Sequence, residues 1–79
     1  MPLYFFDTRD NDDFVKDIVG LEYQSLATIK VEAARALTEL ARDVIPGSLR
    51  RDLAVEVRDA RGPVLKATMH FEAVVLRPA

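Results

Sequence analysis

Cysteine is absent from the 79 residues and histidine occurs once. Without cysteine there is no disulfide framework, no thiolate nucleophile and no thiolate-ligated metal, and nothing ties the chain to an oxidising compartment. No apolar run approaches the roughly 20 residues that cross a bilayer. The opening MPLYFFDTRD lacks the basic start and apolar stretch of a signal peptide, so the expected setting is the cytoplasm. An excess of positive charge is also missing. The formal net charge is −2, which argues against generic nucleic-acid binding.

The length allows one domain, spanning residues 1–79, which buries only about 60% of the surface its unfolded chain exposes. A partner subunit would add the burial that so small a core lacks. Charge is unevenly placed along the chain. Asp7, Asp10, Asp12, Asp13, Asp17 and Glu22 outnumber Arg9 and Lys16 in residues 1–26, whereas basic side chains outnumber acidic ones in residues 49–79. An acidic edge and a basic edge are thus available to meet within one chain or between two.

The clearest pattern is Ser25 to Ile45. Ile29, Ala33, Ala36, Leu37, Leu40, Ala41 and Val44 recur at three- and four-residue spacing and draw an apolar stripe along a helix over residues 26–45. Ser25 or Thr28 caps its start, Pro46-Gly47 ends it, and Glu32, Arg35, Glu39 and Arg42 occupy the outer face. Three alanines in the stripe let the helix lie close to whatever it covers.

On either side the pattern alternates. Residues 3–9 form a strand with Tyr4, Phe6 and Thr8 inward and Leu3, Phe5, Asp7 and Arg9 outward, followed by an Asp10–Asp13 turn. Residues 14–23 read as a short or broken edge strand, interrupted at Lys16-Asp17 and bent at Gly20. After a loop over 48–52, Leu53, Val55 and Val57 face inward in a strand over 53–59. A turn at 59–63 leads to the last strand, 64–75, with Leu65, Ala67, Met69, Phe71 and Ala73 inward. The class is α+β, with the order ββαββ: a four-stranded, mainly antiparallel sheet with one helix on one face. The expected strand order is 2-1-3-4, with 2-1-4-3 as the alternative.

The stretches YFFDTRD, IVGLEY, EAARALTELARD and LAVEVRDARGPVL, in that order and at these spacings, resemble a family of short alphaproteobacterial proteins, abundant in rhizobia and their relatives and classified as a domain of unknown function. The resemblance covers residues 2–72. Its pattern includes Phe-Asp in the first strand, Asp then Gly before the helix, and V-E-V-R-D in the third strand. The chain departs from it in DNDD at the first turn and in IVGLEY, where members carry more acidic residues. The resemblance implies a bacterial cytoplasmic setting and supports the two-hairpin fold; it brings no activity, cofactor or catalytic residue with it.

Three constellations invite chemistry. Asp7, Asp10, Asp12 and Asp13 supply oxygen ligands, but without the glycine and distal glutamate of a calcium loop, so they read as a turn and no metal or cofactor is expected. Thr68, His70 and Glu72 form a row on one strand face, too widely spaced and too flat for a catalytic site. Arg50, Arg51, Arg58 and Arg61, with an exposed Phe5, offer phosphate contacts and a stacking ring, diluted by Glu56, Asp59 and Glu72.

The remaining signal is geometric. A single helix leaves the other sheet face open, and Leu3, Phe5, Ala54, Arg58, Lys66, Thr68 and His70 form the candidate interaction surface on it. The sequence therefore points to a non-catalytic protein-interaction module, self-paired as a homodimer through this face or an edge strand, or bound to another protein. Two alternatives stay open: a weak nucleic-acid binder using the arginines, and a small-ligand binder or enzyme subunit.

Overall fold

The computed structural model describes residues 2–78. Strand β1 (Leu3–Asp10) is followed by two short strands, β2 (Asp13–Val15) and β3 (Leu21–Glu22), and by helix α1 (Leu26–Val44). A 3-10 turn (Ile45–Gly47) then leads to β4 (Arg50–Asp59) and β5 (Gly62–Glu72). The sheet runs β2-β1-β4-β5, every neighbour antiparallel, with β3 also paired to β1. The α+β class and the single helix on an antiparallel sheet match the sequence expectation.

The differences have local causes. The expected strand over 14–23 is split in two, because residues 16–20 leave the ladder and Gly20 adopts φ 73°. Between the two halves, the Phe6 backbone N–H is met by the Asp17 carboxylate instead of by a strand. The third strand begins at Arg50 rather than 53, since Arg51 and Asp52 pair with Phe71 and His70. The last strand starts earlier, at Gly62, and ends at Glu72, so Ala73, expected to face inward on it, lies beyond the strand and is exposed. Ser25, not Thr28, is the N-cap: its hydroxyl accepts from the Thr28 N–H.

Helix α1 lies on the central strand. Ile29, Ala33, Leu37 and Ala41 recur every four residues and are buried against Leu53, Val55 and Val57 of β4. Tyr4, Phe6, Leu65, Ala67 and Met69 flank this core and are only partly covered. The reason is width. One helix about 10 Å across cannot roof four strands spaced about 4.8 Å apart. Of the outer-face charges, Glu32 and Arg35 form an ion pair at 2.9 Å.

Candidate functional site

The face opposite the helix is less open than the alternation predicts. Asp7 is only 4% exposed. Its carboxylate accepts from Arg58 Nε at 2.9 Å and from the Asp17 N–H at 2.9 Å, and Arg58 also donates to the Asp17 carbonyl at 2.8 Å. Asp17 in turn accepts three backbone N–H groups: Val19 and Gly20 on Oδ1 and Phe6 on Oδ2. The segment 16–20 is thereby tied to the rim of the sheet.

Gly20 makes the close approach possible. A Cβ there would fall 2.9 Å from the Phe5 ring and 3.0 Å from the Tyr4 carbonyl oxygen. The Arg58 guanidinium stacks on Phe5 at 4.4 Å. Phe5, expected to stand open as a stacking surface, is therefore half-buried between Arg58 and Gly20. Ala54, another expected surface residue, is 5% exposed.

The charged network is self-satisfied. Among the described residues no buried side-chain nitrogen or oxygen lacks a partner. Arg9 pairs with Glu56 at 2.9 Å and its guanidinium lies 4.6 Å from the Phe14 ring. The hydrogen bond and charge of Arg9 hold the Glu56 carboxyl below its usual range, outweighing its partial desolvation. Arg51 grips Asp10 with two bonds, at 2.6 and 2.8 Å, which likewise lowers the Asp10 carboxyl. For Asp17, desolvation pushes upward, but the three backbone donors and the Arg58 charge prevail and its carboxyl lies low.

These pairings bear on the chemical alternatives. The arginines do not cluster: Arg50 and Arg58 stand at opposite ends of β4, about 26 Å apart at 3.3 Å per residue. Arg51 projects toward the helix side and Arg58 toward the other face, each engaged by a carboxylate. Asp7 and Asp10, two of the four candidate cation ligands, are occupied by arginine. Among the described residues no three His, Asp or Glu side chains converge as a metal site would require.

His70 has a partner that the sequence reading missed. Asp52 lies directly across from it on β4, and His70 Nδ1 donates to the Asp52 carboxylate. The other ring nitrogen faces Glu72 at 3.8 Å, not the Thr68 hydroxyl, so no nucleophile is served. Both His70 and Asp52 side chains are half-exposed.

Lys66, Thr68 and His70 remain exposed, and all three belong to β5. Leu3 is 43% exposed at the far end of β1. Strand β5 is an edge: among the described residues it pairs with β4 on one side and with no strand on the other. The opposite edge is blunted by two fragments of three and two residues, whereas β5 runs for eleven. Ala73 N–H donates to Leu49 C=O at 2.7 Å in the register that pairs Phe71 with Arg51. From Leu65 to Phe71 the odd-numbered residues of β5 hence bond to β4, and the N–H and C=O groups of Lys66, Thr68, His70 and Glu72 point to the free edge; a bulge at Val64 shifts the register beyond this stretch.

Grooves flank this edge on both sides. Toward the helix, a groove of about 410 Å³ runs between Ala41, Ile45 and Pro46 and the β5 residues Met69 and Phe71. On the other side, one of about 280 Å³ is lined by Arg9, Ala54, Lys66, Thr68 and His70. Val64 within β5, and Val74 and Leu76 beyond its end, are exposed apolar side chains. Alternation alone gave the two faces of β5; its position as an unpaired edge was set by the sheet order.

The family described as a domain of unknown function, DUF6894, matches residues 3–70, and the chain belongs to it. Asp7, Asp17, Gly20 and Arg58 all lie inside the matched residues. No curated protein and no solved structure matches the chain. No helix among the described residues is long and apolar enough to cross a membrane.

Proposed function

We propose that this DUF6894 protein is a small, non-catalytic interaction module that binds another polypeptide by strand addition along β5. The alphaproteobacterial origin and cytoplasmic setting implied by the sequence resemblance go with this reading. One observation carries it: an eleven-residue edge strand whose outward N–H and C=O groups from Lys66 to Glu72 meet no other strand among the described residues, beside a groove formed by Ala41, Ile45, Met69 and Phe71. Backbone groups of an added strand satisfy the edge, and alternate side chains enter the grooves.

Photo-crosslinking tests this. A crosslinking residue at Thr68, on the edge, and one at Glu39, on the outer face of α1, are compared in the cell of origin. The expected result is a protein adduct from position 68 and none from position 39. Equal adducts at both positions, or none at either, would sink the proposal. Strand addition also persists at high salt, where phosphate-backbone binding falls steeply.

A further inference from the structure

We infer that the strand added to β5 is β5 of a second copy of this chain, antiparallel and in one register, with the two-fold axis passing through Met69. This rests on the reading of β5 as the interaction edge and adds the partner and the alignment.

Parity limits the choice. From Lys66 to Glu72 the even-numbered residues of β5 direct their backbone groups to the free edge, so a partner strand must oppose even to even there. Centring on Thr68 sets Lys66 against His70 of the partner subunit and Val64 against the partner's Glu72. Centring on His70 sets Lys66 against the partner's Val74. Centring on Met69 sets Lys66 against the partner's Glu72, twice by symmetry, and Thr68 against the partner's His70, all within the regular part of the strand. Opposite charges then coincide on the open face.

The helix side agrees. The same register opposes Ala67 to the partner's Phe71, small to large, with Met69 against its own copy on the axis. Three strand spacings of about 4.8 Å separate β4 from the partner's β4 by about 14 Å, which admits two helices about 10 Å across side by side. The groove beside Ala41 and Ile45 closes against its own copy. Lys66 and Glu72 also act against misregistered pairing, since a charge in an edge strand disfavours an added strand unless it meets its opposite.

The absence of native cysteine makes the register directly readable. Met69→Cys places two thiols across a pair without hydrogen bonds, where the Cα atoms of antiparallel strands approach to about 4.5 Å. Under mild oxidation Met69→Cys is expected to form a covalent dimer much faster than Thr68→Cys. Sedimentation of the purified protein should show a dimer that Lys66→Glu or Glu72→Lys each weakens about tenfold or more. The double exchange Lys66→Glu with Glu72→Lys should restore it. Circular dichroism verifies that each variant is folded.

A wild-type monomer at high micromolar concentration overturns self-pairing. If position 68 then crosslinks a different protein in the cell, the edge reading stands and only the second copy fails. Faster coupling of Thr68→Cys, or a double exchange no tighter than the single ones, overturns the register.

Discussion

The side chain of Asp17 holds the segment that covers Phe5, and its removal is the sharpest test of how the sheet's open face is built. Its Oδ1 accepts from Val19 and Gly20 at 3.0 and 3.2 Å, and its Oδ2 accepts from Phe6 at 3.1 Å. Hydrogen bonds to a charged acceptor contribute about 1.5–3 kcal/mol each when buried. The Val19 bond is exposed and the other two are half-buried, so Asp17→Ala should cost about 3 kcal/mol in all. For a chain of this length the total stability is about 4–12 kcal/mol.

Asp17→Asn is the informative variant. It keeps the shape, but one of the two oxygens becomes an NH₂ group, which meets either the Phe6 N–H or the Val19 and Gly20 N–H pair, donor against donor. Asparagine should therefore rescue little, and both variants should lower the urea midpoint by about 2–3 M at a slope of 1–1.5 kcal/mol/M. Amide exchange at Phe6 should accelerate in both. An Asp17→Asn protein within about 0.5 kcal/mol of wild type would refute the assignment of Asp17 as an acceptor of all three N–H groups.

Three further outcomes follow from the same geometry. Asp10, Asp17 and Glu56 have carboxyls held below their unfolded values, so their stabilisation is complete above the unfolded range near pH 4 and is lost as pH falls through the folded values. The urea midpoint should be flat from about pH 7 to 5 and then drop; a midpoint unchanged at pH 3 contradicts this. Gly20→Ala should cost about 2–3 kcal/mol, from a left-handed backbone and contact with the Tyr4 carbonyl, whereas Gly47→Ala, in open space, should be neutral or slightly stabilising. Equal unfolding midpoints for these two variants would remove Gly20 from the clamp. Ala33→Leu should destabilise by about 1–3 kcal/mol in thermal melts, because Ala33 is fully buried where α1 meets β4. A melt indistinguishable from wild type would mean that the helix does not lie close.

The helix was legible because its signal is local and redundant: seven apolar positions at three- and four-residue spacing, a capping serine before them and Pro-Gly after. The alternation of Leu53, Val55 and Val57 was equally plain, and the three are buried as a set. The open face was misjudged at Phe5 and Ala54, since alternation reports which face a side chain occupies but not what else lies on it. What lies there is Arg58, drawn onto Phe5 by Asp7, and a segment pinned by Asp17 from ten positions along the chain. The interruption at Lys16-Asp17 and the glycine at 20 were visible signs of a break in the strand. That Asp17 would take the place of a strand partner for Phe6 was not.

The sequence by itself determined the class, the helix face, the inward residues of the central strand and the exclusion of thiol chemistry, because each depends on residue type and spacing along a few turns or pleats. The tertiary structure alone decided which carboxylates meet which arginines, so that Asp7, Asp10 and Glu56 are spent on Arg58, Arg51 and Arg9. It also decided between the expected order 2-1-3-4 and its alternative 2-1-4-3, leaving β5 rather than β4 as the long strand at the edge. Both depend on contacts between residues about 40 to 50 positions apart, whose geometry exists only once β4 has docked beside β1.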